Sequence, residues 1–502
     1  MSTDKHKARK NLTPSSTPSS STTKRSIWYS HLFIVIAVGF AVLLSKPTVS
    51  PLFASTAKNT PQKVSSNVDF MVQVMQKTGG KNICSPAGFI KGTCMDFENV
   101  ETENKKISKI LSKLVKTTFF KTIKVDLNKP CKLWDSNDFC YGQACSVEGI
   151  ASTDVPEKWA KKPSSSSKAA PVFGMPSKAA TPKQTSDYAV VDDEYGKGEW
   201  IDLVANPEKF TGYTGTSANQ IWLSIYKNNC FGVAPFIQDD SPFTTNSQLV
   251  YPPKQEKRFP AFLQNLATED NYFSFKPSIP HEINMFYSII SGLHASTSTH
   301  ICHDYFDKES NSFKPNLGCF IFRIGSFPQR LNNIYFNYVF ILRAVQKMSH
   351  YLKDYDYSYG NLKIDKKTKK LVHGLVDTIN NISHPFNETK LFNNENTAHL
   401  LADVKNNFYN ISQIMDCTDC VTCKLWGKTQ VLGLATALKS LFSTPEAYFD
   451  KHYDLANLKR NEIVSLIVTL NQLSQSLNFI THFRGMYQNF IDEHTNSQNH
   501  AS

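Results

Sequence analysis

Three cysteines spaced three residues apart, in the stretch DCTDCVTCKLWGKTQ, are the residues of this sequence best suited to chemistry: Cys417, Cys420 and Cys423. Such thiols can bind a metal, form structural disulfides or exchange electrons. A zinc site needs four ligands, and the run supplies three with no histidine close behind it. A disulfide within Cys420-Val-Thr-Cys423 closes too short a loop to stabilise a fold much, so structural half-cystines explain this pair poorly. The pair precedes a predicted helix, whose N-terminus favours a thiolate, and this indicates redox chemistry.

A second cysteine cluster, PCKLWDSNDFCYGQACSVEG, contains Cys131, Cys140 and Cys145. Cys140 and Cys145 enclose YGQA, a turn expected to be exposed, so a disulfide between them would be accessible to the thiols of another protein. Two short-range pairs in one chain indicate a relay in which one pair takes electrons and the other passes them on. Because disulfides reduce oxygen too slowly to be useful, the relay needs a cofactor as acceptor, and a flavin is the natural candidate.

The N-terminal region predicts a chain directed to a membrane. Residues 1–26 are polar and basic, and residues 27–44, IWYSHLFIVIAVGFAVLL, are apolar and close to the ~20 residues of a membrane span. Basic residues before this segment and a long polar chain after it predict that the body is translocated. A signal anchor is favoured over a cleaved signal peptide, although FASTA at 53–57 offers small residues for cleavage. Residues 45–80 then form a tether.

Translocation places the 11 cysteines in an oxidising compartment, where disulfides persist. Cys84 and Cys94 bracket SPAGFIKGT, a short bendable loop that predicts a local disulfide. Sequons at Asn381, Asn387 and Asn410 fit a secretory route and predict a glycoprotein. The net charge of +12 includes no basic patch interleaved with aromatics, so a solvated surface is favoured over nucleic-acid binding.

The body, residues 81–485, is predicted to be one mostly helical domain. Apolar residues follow helical spacing in ISKILSKL at 107–114, LNNIYFNYVFILRAVQKMSHYL at 331–352, VLGLATALKSLF at 431–442 and NEIVSLIVTLNQLSQSLNFI at 461–480. Alternating strands are scarce. Residues 152–187 and 236–278 are predicted to be flexible polar insertions, and residues 486–502 a frayed polar tail.

These features together resemble the endoplasmic reticulum oxidoreductins, flavin-dependent thiol oxidases that regenerate the disulfide of protein disulfide isomerase. The resemblance runs from about Cys84 to Phe483 and is carried, in order, by DLNKPCKLWDSNDFCYGQACSV, IDLVANPEKFTGYTGTSANQIW, SGLHAST, FRIGSFPQRLNNIYFNYV and DCTDCVTCKLWGKTQVLGLATALK. It implies a helix bundle that holds FAD, is stapled by disulfides and has long irregular loops. It also implies residence on the lumenal side of the endoplasmic reticulum membrane, and transfer of electrons to molecular oxygen with hydrogen peroxide as the product.

Six cysteines take roles by this resemblance: an active-site pair beside the flavin, a shuttle pair that meets the isomerase, and a long-range structural bridge. The active-site pair is Cys420 and Cys423, the shuttle pair is Cys140 and Cys145, and the structural bridge joins Cys131 to Cys417. The isomerase reduces the shuttle pair, which then reduces the active-site pair. The resemblance therefore assigns Cys417 to a structural disulfide, and Cys420 and Cys423 to the redox reaction.

For the flavin, the resemblance implies seven contact residues whose types suit a planar ring and a diphosphate. They are Lys209, Thr211, Trp222, Ser291, His294, Arg323 and Arg330. Lys209 stands where the family usually has arginine, and a lysine keeps the charge but loses the planar bidentate fork. Without the resemblance, Trp222 would be interpreted as a core residue and His294 as a satisfied buried histidine.

The remaining cysteines concern regulation and stability. Family members commonly hold regulatory cysteines in the loop after the shuttle pair, and residues 146–229 contain none. Cys302 and Cys319 can close a loop of their own, which leaves Cys230 as the odd cysteine. Two other functions stay open: a non-enzymatic, disulfide-stabilised lumenal scaffold, and a thioredoxin-type disulfide isomerase, which the absence of a preceding strand pattern disfavours.

Overall fold

The structure, a computed structural model, describes residues 97–133, 147–160, 188–192, 194–208, 221–222, 224–226, 229, 281–325, 328–383, 385–389, 391–392, 395–442 and 458–499. All of them belong to one compact unit of the chain, Gln62–Ser502. They are mostly helical with a few short strands, which confirms the predicted fold class. The predicted membrane segment at 27–44 lies outside the described residues.

Helices account for most of the described residues. Labelled in chain order, they are α1 (Phe97–Leu114), α2 (Thr118–Lys121), α3 (Glu157–Ala160), α4 (His281–His303), α5 (Leu317–Phe320), α6 (Pro328–Lys347), α7 (Ser349–Asp354), α8 (Leu362–Asn380), α9 (Glu395–Ile414), α10 (Val421–Phe442) and α11 (Arg460–Asn499). Short 3-10 turns lie at Ser152–Asp154 and Met415–Cys417, and a π-helical turn at Ile321–Gly325 joins α5 to the segment before α6.

The centre of the bundle is the packing of α10 against α11, with α6 against both and α4 against α6 and α11. Apolar and small residues cover nearly every face of α10, so this helix is buried all round rather than along one stripe. Gly433 permits the close approach of α11, because a Cβ there would lie 2.2 Å from Oγ1 of Thr469. The outer helices α1 and α8 each bury a single apolar face.

One stretch of the described helices, Arg460–Phe490 in α11, is long and apolar enough to cross a membrane by length and composition. Inside this protein, 78% of its most apolar window is buried. Burial by neighbouring helices explains the apolar composition, so this helix is weak evidence for a membrane span.

The strands form two short antiparallel pairs. β1 (Thr122–Val125) pairs with β2 (Glu199–Asp202), and β3 (Tyr305–Asp307) with β4 (Ser312–Lys314) in a hairpin between α4 and α5. The structure contains the hypothesised disulfide between Cys302 and Cys319, both of them buried, at the base of this hairpin. The disulfide ties the end of α4 to α5.

Two expectations about irregular segments are wrong in part. Within residues 152–160 of the predicted flexible insertion, Val155 and Trp159 are buried in the core. Trp159 stacks on Trp200, and the guanidinium carbon of Arg460 lies 3.9 Å from the centroid of the Trp159 ring. The free energy gained by burying one large aromatic ring here outweighs the preference of the surrounding polar residues for solvent. Helix α11 continues to Asn499, so residues 486–499 of the predicted frayed tail are helical, with Tyr487 buried. Residues 161–187 and 236–278 lie outside the described residues.

Candidate active site

Cys420 and Cys423 stand at the N-terminal end of α10. Cys420 directly precedes the helix, and its carbonyl accepts the N–H of Lys424 at 2.8 Å. Its Sγ accepts the main-chain N–H of Cys423 at 3.4 Å, which is the capping role that a serine or aspartate oxygen usually has. Both side chains are only 4% exposed. A helix N-terminus stabilises negative charge, so this geometry suits a reactive thiolate that is shielded from bulk solvent.

A disulfide fastens the turn before this pair to a distant segment of the chain. It joins Cys131 to Cys417, which are 286 residues apart in sequence, with their Cα atoms 4.4 Å apart. Lys424 of α10 adds to the connection, because its Nζ donates to the carbonyl oxygen of Leu127 at 3.2 Å. The disulfide withdraws Cys417 from any metal site with Cys420 and Cys423, which removes the zinc interpretation of the triplet.

Lys428, in the second turn of α10, holds three other segments against the helix. Its Nζ lies 2.7 Å from Oδ1 of Asp416 and 3.0 Å from Oδ2 of Asp192, and it donates to the carbonyl oxygen of Asp126 at 3.1 Å. These side chains are nearly inaccessible, and a buried charge is tolerable only when opposite charges and hydrogen bonds compensate it. Lys428 therefore holds the turn before the cysteine pair, and two segments distant in sequence, against α10.

Trp222 and His294 form a ring stack elsewhere in the bundle. Their ring centroids are 3.6 Å apart with an interplanar angle of 12°, and the hydroxyl of Tyr226 hydrogen bonds with Nδ1 of His294 at 3.1 Å. Burial, together with the charges of Arg330 and Arg323, holds the pKa of His294 well below its usual 6.5. The imidazole is therefore neutral at physiological pH, and the stack offers a flat surface to another planar ring.

Arg323 and Arg330 concentrate positive charge beside this stack. Arg323 lies in the π-helical turn and Arg330 in the first turn of α6, and Nη1 of Arg330 donates to the carbonyl oxygen of Arg323 at 2.7 Å. Burial lowers the pKa of both guanidinium groups, that of Arg323 to about 10. Both remain cations at neutral pH. Two cations in a region with little water are the natural complement of an anion with several oxygens, such as a diphosphate.

The structure thus brings four predicted cofactor residues together, namely Trp222, His294, Arg323 and Arg330. Ser291 is buried one turn before His294 on α4. Helix α4, with these residues, and helix α10, with the cysteine pair, both pack against α6 and α11. The other predicted site or disulfide residues lie outside the described residues: Lys209, Thr211, Cys84, Cys94, Cys140, Cys145 and Cys230.

Comparison with known proteins decides the family. The family model described as Endoplasmic Reticulum Oxidoreductin 1 (ERO1) matches residues 106–480, a range that includes the ring stack, both arginines and the cysteine pair of α10. The chain belongs to this family. Membership makes it an oxidoreductase that acts in disulfide formation.

Fungal relatives are about one third identical to this oxidoreductin over the matched residues. It is 34% identical over 461 residues to endoplasmic reticulum oxidoreductin-1 of Neurospora crassa, and 32% identical over 411 residues to endoplasmic oxidoreductin-1 of Saccharomyces cerevisiae. The matches cover 80% and 78% of this chain and 69% and 65% of those relatives. The similarity therefore extends over most of this chain and about two thirds of the relatives.

Solved structures agree with the assignment. A double cysteine-to-alanine mutant of S. cerevisiae Ero1p superposes with a TM-score of 0.54 at 28% identity, over 79% of this oxidoreductin and 99% of that chain. Ero1p itself, described as the source of disulfide bonds for oxidative protein folding in the cell, gives a TM-score of 0.51 at 30% identity, over 78% and 99%. The helical fold is thus shared with Ero1p.

Tyr226 and the partners of Lys428 belong to the oxidoreductin site but were not singled out from its sequence. Tyr226 follows Trp222 by four residues, a spacing that puts two side chains on one helical face, and this signal could have found it. The partners of Lys428 gave no local signal, because Asp416 and Asp126 are 12 and 302 residues away from it in sequence.

Proposed function

We propose that this protein is a FAD-dependent thiol oxidase that oxidises protein disulfide isomerase in the lumen of the endoplasmic reticulum. The observation that carries the proposal is the buried pair Cys420 and Cys423 at the N-terminus of α10, in a chain of the ERO1 family. The relatives are named for the endoplasmic reticulum, and a related structure is described as a source of disulfide bonds, which supports the compartment and the role in oxidative folding.

The residues around the ring stack fit FAD. The ligand contains planar rings joined through a diphosphate, and the site offers the stacked rings of Trp222 and His294 beside the cations Arg323 and Arg330. We assign these four residues, with Ser291, Lys209 and Thr211, to cofactor binding. When bound, the flavin supplies a two-electron acceptor that passes its electrons to molecular oxygen, giving hydrogen peroxide.

Cysteine pairs of this chain carry the electrons from the substrate. In each exchange a thiolate attacks one sulfur of a disulfide, one S–S bond breaks as another forms, and two electrons and two protons pass from the dithiol to the disulfide. We assign Cys140 and Cys145 to the exchange with the isomerase, and Cys420 and Cys423 to the exchange with that shuttle pair. The N–H of Cys423 stabilises negative charge on the sulfur of Cys420 during this step.

The proposed location is the lumenal face of the membrane, reached through the N-terminal segment at 27–44 as a signal anchor. An oxidising lumen agrees with the disulfides Cys131–Cys417 and Cys302–Cys319. Asn381 and Asn410 are exposed and are proposed to carry glycans.

The experiment that tests the function is spectroscopy of the purified full chain with oxygen monitoring. A flavin spectrum that bleaches with a reduced dithiol under limited oxygen and returns with air, together with oxygen uptake, is expected. The variant Cys423→Ala should keep the flavin and lose uptake, while Cys230→Ala, outside both pairs, should keep both. A folded protein without flavin, or one that takes up no oxygen when flavin-loaded, would contradict the proposal and favour the scaffold interpretation.

A further inference from the structure

Tyr226 joins the ring stack to the arginines of the candidate cofactor site. Residues 221–222 and 224–226 are helical, and Trp222 and Tyr226 lie on one helical face with their ring centroids 6.0 Å apart. The hydroxyl of Tyr226 lies 3.1 Å from Nδ1 of His294, the imidazole that stacks on Trp222. Tyr226 is only 6% exposed, so a hydrogen-bond partner inside the protein is needed for its hydroxyl, and His294 is that partner.

The charge of Arg330 decides the direction of this hydrogen bond. Burial lowers the pKa of Arg330, and Tyr226 and Tyr287 oppose that shift, so their hydroxyl oxygens lie within electrostatic reach of the guanidinium. A guanidinium only donates hydrogen bonds, and its charge attracts the oxygen end of a hydroxyl dipole. This field favours Tyr226 as the donor to Nδ1 of His294, because the alternative directs two positive groups at one oxygen and leaves the hydroxyl proton without this acceptor.

A neutral imidazole that accepts a hydrogen bond at Nδ1 carries its proton at Nε2. Burial, together with the charges of Arg330 and Arg323, keeps the pKa of His294 well below its usual 6.5, so the ring has one proton at neutral pH. Tyr226 occupies Nδ1 and Trp222 covers one face of the ring. Any hydrogen bond from this imidazole to the cofactor therefore comes from Nε2–H, which is a donor and suits an oxygen acceptor.

We infer that Tyr226 is a positioning residue that fixes His294 in the Nε2–H tautomer, so that the imidazole donates to an oxygen atom of the bound cofactor. The inference rests on the proposed function. Hydrogen bonds that run in one direction, here from Tyr226 through His294 to the cofactor, polarise and strengthen one another. Without the hydroxyl, the imidazole can carry its proton on either nitrogen, and the Nδ1–H form directs a lone pair at the acceptor. The substitution Tyr226→Phe removes the hydroxyl and keeps the ring that packs near Trp222 and Tyr287.

The first test is nitrogen-15 NMR of the purified full chain without FAD, labelled only in histidine. Protonated and unprotonated nitrogens of a neutral imidazole have well separated chemical shifts, so the spectrum reports the tautomer. The signals of His294 are those missing from the variant His294→Phe. The wild-type protein should show the Nε2–H form, and Tyr226→Phe should show a mixture of the two forms. A wild-type His294 in the Nδ1–H form, or an unchanged tautomer in Tyr226→Phe, would overturn the inference.

The second test is titration of the FAD-free protein with FAD, followed by flavin fluorescence. Tyr226→Phe should raise the dissociation constant about fivefold, the effect of weakening one hydrogen bond. The same substitution in a His294→Phe background, which keeps a ring against Trp222 but has no ring nitrogen, should change the dissociation constant by less than about twofold. Equal weakening in both backgrounds would show that the hydroxyl acts independently of His294, and the inference would fail.

Tyr357→Phe is the matched control, because Tyr357 is also a buried tyrosine whose hydroxyl donates a hydrogen bond, at 2.8 Å to the carbonyl oxygen of Leu352. Neither the tautomer of His294 nor the dissociation constant should change in that variant, and urea unfolding of every variant measures the loss of stability. If Tyr226→Phe fails to fold, the wild-type spectrum still tests the tautomer. A wild-type protein that binds no FAD would overturn the proposed function, whereas the wrong tautomer in a protein that binds FAD would overturn this inference alone.

Discussion

The guanidinium of Arg330 donates from Nη1 to the main-chain carbonyl oxygen of Arg323, at 2.7 Å. This hydrogen bond joins the π-helical turn to the first turn of α6, so the side chain of Arg330 holds the backbone of Arg323 in place. Single π-helical turns occur frequently at functional sites, because they reorient a side chain that a regular helix would direct elsewhere. Arg330 thus supports the backbone of Arg323, and under the proposed function it would also supply a charge for the diphosphate of FAD.

Substitution Arg330→Lys should weaken FAD binding although it keeps the charge. A lysine lacks the planar fork that can donate to the carbonyl of Arg323 and to a phosphate oxygen together, so the dissociation constant should rise about tenfold. Titration of the apoprotein with FAD, followed by flavin fluorescence, measures it. Arg484→Lys is the control, because Arg484 pairs with Glu101 through its own guanidinium. An unchanged dissociation constant for Arg330→Lys would remove this residue from the cofactor site.

The two described disulfides should differ in their contribution to stability. In the chain-entropy model, Cys131–Cys417, with a separation of 286 residues, contributes about 5.7 kcal/mol to the free energy of unfolding, and Cys302–Cys319, with a separation of 17, about 3 kcal/mol. Urea unfolding of the two paired cysteine-to-alanine variants measures the difference. A larger loss from the shorter loop would show that native packing, rather than loop length, determines these contributions.

Substitution Gly433→Ala should destabilise the protein by about 1–3 kcal/mol, because the added Cβ overpacks the contact of α10 with α11. It would meet Oγ1 of Thr469 at 2.2 Å and the carbonyl oxygen of Ser465 at 2.5 Å. Gly374 provides the opposite case, since nothing lies within 4 Å of a Cβ there, in the interior of α8. Gly374→Ala should therefore stabilise by about 0.5–1 kcal/mol. Thermal unfolding of both variants tests the pair, and equal effects would contradict the packing argument.

Acid should destabilise the protein in part through His300. Its Nε2–H donates to the carbonyl of Gln472 at 3.0 Å, and burial lowers the pKa of the imidazole to about 4 from 6.5. The unfolded chain therefore binds this proton at a higher pH than the folded protein does. Stability due to His300 is complete above pH 6.5 and is lost as the pH falls towards 4, by up to about 3 kcal/mol.

Urea unfolding at pH 7.5 and 4.5 measures this dependence. The variant His300→Gln keeps a donor for the carbonyl and cannot titrate, so its stability should fall less between the two pH values. His373→Gln is the control, since that ring is half-buried and its Nε2 also lies 3.0 Å from a main-chain carbonyl, that of Lys353. If His300→Gln and wild type lost stability equally, the buried neutral state of His300 would be ruled out as a cause.

Part of this protein could be predicted from its sequence, because some features depend on residues close together in the chain. Helical spacing predicted the positions of α6, α10 and α11, and the interval between Cys420 and Cys423 indicated a redox pair before a helix. The predictions of a flexible insertion and a frayed tail were wrong in part, because the packing of a few side chains has more effect than the polar composition of the segment. Trp159 of the insertion is buried in the core, and α11 extends to Asn499.

Contacts between distant residues were decided by the tertiary structure alone. Three sets of contacts connect segments that are adjacent only after the helices pack. They are the stack of Trp222 on His294, the three partners of Lys428, and the hydrogen bonds of the Asn206 side chain with the main chain of Glu148. Local periodicity is a property of neighbouring residues, whereas these pairings follow from how apolar faces pack across the whole chain. The sequence by itself thus determined the helices and the spacing of the cysteine pair, and packing determined which residues position them.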